Sequence, residues 1–215
     1  MAQKFDMSDL GRLTYYLGIE VTQYEEGIML KHERYANKLL GEAGMNDCNA
    51  VQAPKEFGLK LSKSIYEEDV NEKVYRRMIG CLRHILHMCP DLSFAVGILS
   101  HYMHNPKRSH ATVLKQILRY LRGTLSYGLF FKRMGKSELV GYSDSSHNVD
   151  EDDGRSTTGH VFYLNSCPIS WCSQKQETVA LSSCEAEFMA ATEAAKQAIW
   201  LQELLGKSPE NAAEE

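Results

Sequence analysis

The period of the apolar residues changes twice along the chain, and this change limits the fold more than any other feature of the sequence. Residues 13–31 and 129–172 contain short β-branched and aromatic runs separated by turn residues, which is typical of strands. Between them, residues 74–122 repeat apolar side chains every three or four positions, which predicts helices. A last helix is predicted from about Ser183 to Leu205. Strands and helices segregated in this way predict an α+β fold.

The strands before residue 31 are expected to form a hairpin around Glu25–Gly27, followed by a helix over 33–43 that ends at Gly44. Three central helices are predicted, over 74–86, from Pro90 to about Met103 and over 109–122. Four short strands should follow, at Leu129–Lys132, Glu138–Ser143, His160–Leu164 and Ile169–Cys172. Residues 46–71 are polar and irregular, as in a linker, and the polar tail 207–215 is expected to be disordered.

Composition excludes several classes of protein. No apolar run approaches the ~20 residues that a membrane-spanning helix needs, and no apolar stretch follows Met1 as in a signal peptide. We therefore expect an intracellular protein, cytoplasmic or nuclear, without a membrane partner. The six cysteines are widely spaced and form no CxxC pair, so we interpret them as buried apolar residues. The histidine pairs His84/His87 and His101/His104 lack Cys or acidic partners at metal spacing, so no metal role is predicted for them.

Charge is uneven along the chain, although the net charge is only −4. Residues 101–136 hold eight Lys and Arg and no Asp or Glu. The cationic residues predicted to bind nucleic acid, mostly on the polar face of the 109–122 helix or shortly after it, are Arg108, Lys115, Arg119, Arg122, Lys132 and Arg133. A cationic ridge suits the regularly spaced phosphates of nucleic acid without base readout. The alternative is an ordinary solvated helix face, and the pattern alone leaves both open.

Two carboxylates stand at positions typical of a two-metal nuclease. Asp144 ends the predicted strand that begins near Leu139, and Glu187 lies one turn into the last helix. Mg²⁺ prefers oxygen ligands, and two such ions can clamp the attacking and leaving oxygens of a phosphodiester. The alternative is that Asp144 is a turn residue and Glu187 a surface helix residue.

Glu185 competes with Glu187 for the helix position. Ser182 and Glu185 fit the S-x-x-E capping box, which would occupy Glu185 with backbone amides. Ala191, Ala194 and Ala198 share the helix face of Glu187, and small residues there would let the helix lie close to a sheet. Glu187 is therefore the predicted metal ligand.

Seven stretches between Phe5 and about Leu205 are specific enough to indicate a family: FDMSDLGRLTYYLGIEV, YRRMIGCLRHILHMCPDLSFAVGILSHYM, LKQILRYLRGT, ELVGYSDSSHNVD, GRSTTGHVFYL, ISWCSQKQETVALSSCEAEFMAATEAA and IWLQELL. In these stretches the chain closely resembles copia-type retrotransposon Pol polyproteins. The resemblance implies that residues 1–45 are the end of a reverse transcriptase palm, with its hairpin and helix, and that 46–71 are a linker. It further implies a helical thumb or connection over 72–126, a truncated ribonuclease H-like mixed sheet with one long helix over 127–206, and the tail 207–215.

By the same resemblance, Asp144 corresponds to the first catalytic aspartate of the ribonuclease and Glu187 to its glutamate, so both would be Mg²⁺ ligands. The family's polymerase motif Tyr-x-Asp-Asp precedes the FDMSDLG stretch and is not in this sequence. The ribonuclease's third aspartate lies beyond the long helix in the family, where this chain reads KSPENAAEE. Relatives often carry an acid and a tryptophan where this chain has Ser146 and His147. We expect both active sites to be incomplete.

Three functions follow as hypotheses. The first is a retrotransposon-derived fragment that is catalytically inactive, with vestigial Asp144 and Glu187 and no functional cofactor, but that still binds nucleic acid. The second is a Mg²⁺-dependent ribonuclease H-like nuclease acting on RNA–DNA hybrids, which recruits a further acid from Asp150–Asp153. The third is a protein-interaction module adopted by the host. The sequence also predicts that the strand edge at Val140–Ser143 lacks a partner strand and promotes self-association.

Overall fold

The computed structural model describes residues 11–63, 66–133 and 138–206. The strands are β1 (Tyr15–Tyr16), β2 (Ile19–Gln23), β3 (Gly27–Lys31), β4 (Leu129–Lys132), β5 (Leu139–Ser146), β6 (Thr157–Leu164) and β7 (Cys167–Lys175). The helices are α1 (Glu33–Glu42), α2 (Glu72–Ile85), α3 (Ser93–Ser100), α4 (Arg108–Gly123) and α5 (Ser183–Gly206), and Pro90–Leu92 form a 3₁₀ turn before α3. The predicted α+β class is confirmed. Residues 1–10 of the expected palm segment and the expected disordered tail 207–215 lie outside the described residues.

The first sheet contains the predicted hairpin and one strand from much later in the chain. Its order is β1-β2-β3-β4, and all pairs are antiparallel. β4 was expected to belong with residues 127–206, but it pairs with β3, with Ile28 opposite Phe131. Gly27 permits this pairing, because a Cβ there would lie 2.2 Å from the Phe131 carbonyl oxygen. The domain boundaries predicted from the sequence remain predictions.

The main core lies among α1, α2, α3 and α4. The side chains of Ile79, Leu82, Leu99 and Ile117 are fully buried at its centre. These residues recur at the three- and four-residue intervals that predicted the helices, so the apolar stripe of each helix faces the others. α1 ends as predicted, because Gly44 takes a positive φ of 66° and the amide of Met45 donates to the Leu40 carbonyl.

The second sheet has the order β5-β6-β7, and both pairs are antiparallel. α5 packs on one face of it, where Ala194 and Leu201 contact Phe162 in a small core. Gly141 is required beneath the Phe162 ring, since a Cβ at residue 141 would lie 2.3 Å from it. As expected for β5, its one pairing among the described residues is with β6, so its other edge has no strand beside it there.

Candidate nuclease and nucleic-acid site

Asp144 lies on β5 opposite Gly159, in the part of the strand that the sequence analysis identified. Side chains alternate along a strand, so Tyr142, Asp144 and Ser146 share one face of the sheet. This face is opposite the one that Phe162 and α5 cover, and it lines a groove of about 490 Å³. The Asp144 residue is exposed to solvent. Its carboxylate is therefore accessible to a ligand in the groove.

Glu187 reaches the same strand from α5. Its Oε1 accepts a hydrogen bond from the backbone amide of Ser145, at 3.3 Å. Ser145 follows Asp144 directly, so the fold brings the second predicted acid to the peptide next to the first. This contact also satisfies one amide of a strand that otherwise has a single partner strand among the described residues. The hydroxyls of Ser145 and Ser146 are buried here without a hydrogen-bond partner in the described part of the chain.

Glu185 is occupied as the capping-box pattern predicts. The amide of Glu185 donates to Ser182 Oγ at 3.1 Å, so Ser182 is the N-cap of α5. The Glu185 carboxylate accepts from the amide of Leu181 at 2.7 Å, one residue earlier than in a standard capping box. Glu185 therefore holds the helix start, and Glu187 is the acid directed to β5.

Two carboxylates are the right type of donor for Mg²⁺, but they make a small set. Across the described ranges 11–63, 66–133 and 138–206, no group of three or more His, Cys, Asp or Glu residues is arranged to hold a metal ion. Asp144 and Glu187 thus fit Mg²⁺ by chemistry but do not form a complete cage within these residues.

The acids Asp150–Asp153 already have partners in the loop between β5 and β6. Lys175 Nζ lies 2.5 Å from Asp150 Oδ2 and 2.8 Å from Asp153 Oδ2. Asp152 accepts from the amide of Lys63 at 2.9 Å. These contacts fasten the loop to β7 and to the chain before α2. They argue against this loop as the source of a further metal ligand.

The predicted cationic ridge on α4 is largely committed to contacts within the protein. Arg122 Nε donates to the Asn46 carbonyl at 2.9 Å, and Arg119 Nε donates to the Asn49 carbonyl at 2.8 Å. Arg108 pairs with Glu68 at 3.0 Å, although both side chains are exposed. The residues that the sequence analysis interpreted as a linker thus lie along α4 and are held by its arginines.

The other predicted phosphate contacts are less constrained. Lys115 is exposed on α4, and its side chain has no hydrogen-bond or ion-pair partner among the described residues. Lys132 and Arg133 are exposed at the end of β4, in the first sheet. The fold therefore does not gather the six predicted cations into one continuous surface.

Sequence reasoning did not single out two residues that line a large cleft between the helices and the second sheet, Arg83 and Trp171. In the sequence, Arg83 is one of several polar residues of α2, and Trp171 is one of several apolar residues of a predicted strand, so neither is distinctive. The cleft forms only when distant segments pack together, so no local pattern marks it. Across the described ranges, no helix is long and apolar enough to cross a bilayer.

The chain is similar in sequence to several known proteins. The family model for reverse transcriptase (RNA-dependent DNA polymerase) matches residues 1–57. The retrovirus-related Pol polyprotein from transposon RE1 of Arabidopsis thaliana is 37% identical over 205 residues, which cover 95% of this chain and 14% of that polyprotein. An uncharacterised mitochondrial protein of the same plant is 33% identical over 201 residues, covering 93% of this chain and 83% of that protein. No solved structure matches.

A third relative, the secreted RxLR effector protein 161 of Plasmopara viticola, is 46% identical over 128 residues, covering 59% of this chain and 90% of that protein. The matches to retrotransposon Pol polyproteins define the class of protein as retrotransposon-derived. More particularly, the chain belongs to the reverse transcriptase family of copia-type retrotransposon Pol polyproteins. It spans about one seventh of the length of the RE1 polyprotein, of which it covers 14%.

Proposed function

We propose that this chain is the region of a copia-type reverse transcriptase that follows the polymerase active site and begins the ribonuclease H-like domain. Its role is to hold nucleic acid and to provide two acids of a ribonuclease site, Asp144 and Glu187. The observation that carries the proposal is the hydrogen bond from the Ser145 amide to Glu187, since it joins the acid of α5 to the strand that bears Asp144. Asp144 faces the groove on the side of the sheet opposite α5, so its carboxylate and that of Glu187 approach β5 from different sides. If Mg²⁺ binds, these are the two acids that would hold it, and it would polarise the scissile phosphate.

We also propose that these 215 residues alone are not catalytic. Two-metal phosphodiester hydrolysis relies on several oxygen ligands around the ions. Asp144 and Glu187 would supply two of them, which is too few for a complete site. The test is cleavage of a labelled RNA–DNA hybrid with Mg²⁺ or Mn²⁺ by the wild type and by Asp144→Asn and Glu187→Gln. No cleavage above a mock preparation is expected. Cleavage that disappears in both variants would establish the alternative, a Mg²⁺-dependent nuclease.

Primer extension provides a separate test of the polymerase half. The sequence contains no Tyr-x-Asp-Asp motif, so the acids that would hold the catalytic ions of the polymerase are not among its residues. The purified protein should not incorporate nucleotides on a primed RNA or DNA template. Template-dependent incorporation above a mock preparation would contradict this part of the proposal.

Nucleic-acid binding is expected to be weak and to depend strongly on salt. Contacts made mainly by Lys and Arg release counterions from the phosphates, so affinity should fall steeply as salt rises and should vary little with sequence. Fluorescence anisotropy of a labelled oligonucleotide across a salt series measures this directly. Salt-independent binding, or no binding at low salt, would contradict it.

A second candidate function, an interaction module, is favoured by β5, whose one partner strand among the described residues is β6. A strand with one partner presents backbone donors and acceptors to another chain. We expect concentration-dependent self-association, measured by light scattering. Tyr142→Lys should abolish it, because a charge on an edge strand opposes pairing with another chain. The exposed Tyr142 site can accept the lysine without loss of the fold. A wild type that stays monomeric at high concentration would remove this candidate.

A further inference from the structure

A cleft of about 770 Å³ separates the end of α2 and α3 from β7. Its volume lies in the range of small-ligand and cofactor sites. Among the described residues, its lining includes Arg83, Lys175, His87 and His101 but no Asp or Glu. In a chain with a net charge of −4, a cleft that contains the Arg83 guanidinium and several hydroxyl groups but no carboxylate favours an anionic ligand.

Arg83 is the cation in this cleft that a ligand can use. The residue is exposed, and its side chain makes no ion pair or hydrogen bond within the described part of the chain. Lys175, by contrast, is already shared between the carboxylates of Asp150 and Asp153. A phosphate group entering the cleft would therefore meet a free guanidinium, which can form two parallel hydrogen bonds with it.

Trp171 connects this cleft to the groove that contains Asp144. Its indole N–H donates to the Leu86 carbonyl at 2.9 Å, which holds the ring in one orientation between the helices and the sheet. The groove of about 490 Å³ shares Trp171 and Ser173 with the cleft. The cleft and the groove are therefore adjacent, so one extended ligand can place an anionic group in the cleft and another part beside Asp144.

Aromatic rings line the groove on both of its walls. Phe94 of α3 is 38% exposed and Tyr142 of β5 is 61% exposed, and Tyr163 lies against Tyr142 with ring centroids 6.1 Å apart. Exposed rings in a groove provide stacking surfaces for unpaired bases. The carboxylates of Asp91 and Asp144 also line it, so this end favours bases over bare phosphates.

We propose that the cleft and the groove together bind a single strand of nucleic acid, with a phosphate at Arg83 and unpaired bases against the rings beside Asp144. The inference rests on the proposed function and places its nucleic-acid contact away from α4. Paired bases are already stacked within a duplex and cannot insert between these rings, so a single strand is preferred over a duplex.

The test is fluorescence anisotropy with a short labelled oligothymidylate and with a blunt duplex of the same length. Arg83→Glu should weaken single-strand binding about tenfold through charge reversal, and Tyr142→Ala about tenfold through lost stacking. Lys38→Glu is the matched control, because it makes the same charge change at an exposed lysine on α1, outside the predicted nucleic-acid contacts, and it should change affinity by less than about twofold. Lys115→Glu tests the competing site on α4. Circular dichroism of each variant checks the fold, and Arg83→Gln replaces Arg83→Glu if the latter is unfolded.

The possible results test the location of the binding site separately from nucleic-acid binding itself. Tight single-strand binding that Arg83→Glu and Tyr142→Ala reduce, and that Lys38→Glu and Lys115→Glu do not, supports the cleft. Loss of binding in Lys115→Glu with wild-type affinity in Arg83→Glu overturns the cleft and leaves nucleic-acid binding in place on α4. Stronger binding to the duplex than to the single strand also overturns it. No binding of either probe by the wild type at low salt overturns the proposed nucleic-acid function as well.

Discussion

His32 makes the packing between the first sheet and α2 sensitive to acid. Its ring lies directly before α1, is 4% exposed, and has no hydrogen-bond partner at either nitrogen among the described residues. Burial, reinforced by His84 with its ring centroid 5.0 Å away and by His87, lowers the pKa of His32 from 6.5 to about 4. The Ile85 carbonyl and the Glu20 carboxylate oppose this shift but are outweighed.

The pKa difference sets the direction and the size of the effect. The unfolded chain takes up a proton on this histidine near pH 6.5, whereas the folded chain does so only near pH 4. Stability from the neutral ring is therefore complete above pH 6.5 and is lost as the pH falls from 6.5 to 4. At 1.36 kcal/mol per pKa unit, the free energy of unfolding should fall by about 2 kcal/mol between pH 7 and pH 5, and by ~3 kcal/mol near pH 4.

The measurement is urea unfolding at pH 7 and pH 5, followed by circular dichroism, for the wild type and His32→Phe. The substitution keeps an aromatic ring and removes the titrating group, so the variant should lose about 2 kcal/mol less than the wild type between these pH values. Burial also lowers the pKa values of His101, His110 and His160, and their contributions cancel in this difference. His104→Phe, at an exposed site, is the control and should behave as the wild type. Equal losses in the wild type and His32→Phe would refute the reasoning.

Three further predictions follow from the packing. Arg119→Ala and Arg122→Ala should each lower the free energy of unfolding by about 1 kcal/mol in urea unfolding, because each removes a hydrogen bond to the 46–53 segment; no loss in either would mean that the arginines are free for nucleic acid. Phe162→Ala should cost ~3–5 kcal/mol, since Phe162 is 4% exposed at the centre of the α5 core, and a loss below about 1 kcal/mol would show that this core is loose. In native-state hydrogen exchange, the amides of Val140–Ser143 should exchange faster than those of α4, and equal protection would mean that the β5 edge is covered.

The local elements were predictable from the sequence because their signals are local. The apolar spacing around Ile79 and Ile117 predicted α2 and α4 to within two residues at each end, and Gly44 marked the end of α1. The S-x-x-E pattern correctly assigned Glu185 to the start of α5 and so left Glu187 as the acid that reaches β5. Periods of apolar residues and caps depend on neighbours within a few positions, which any sequence displays.

The partner of each element in the fold, by contrast, was decided by contacts between residues that are distant in the sequence. The run Leu129–Lys132 was visible as a strand, but only folding decided that it pairs with β3, about a hundred residues earlier. The ridge of arginines on α4 was equally visible, but only the packed chain showed that Arg119 and Arg122 hold the 46–53 segment. The cleft at Arg83 and Trp171 has no local pattern at all, because it forms where α2 and β7 meet. A side chain's charge and period are properties of the sequence, whereas its partner is chosen by which surfaces the fold brings within hydrogen-bonding distance.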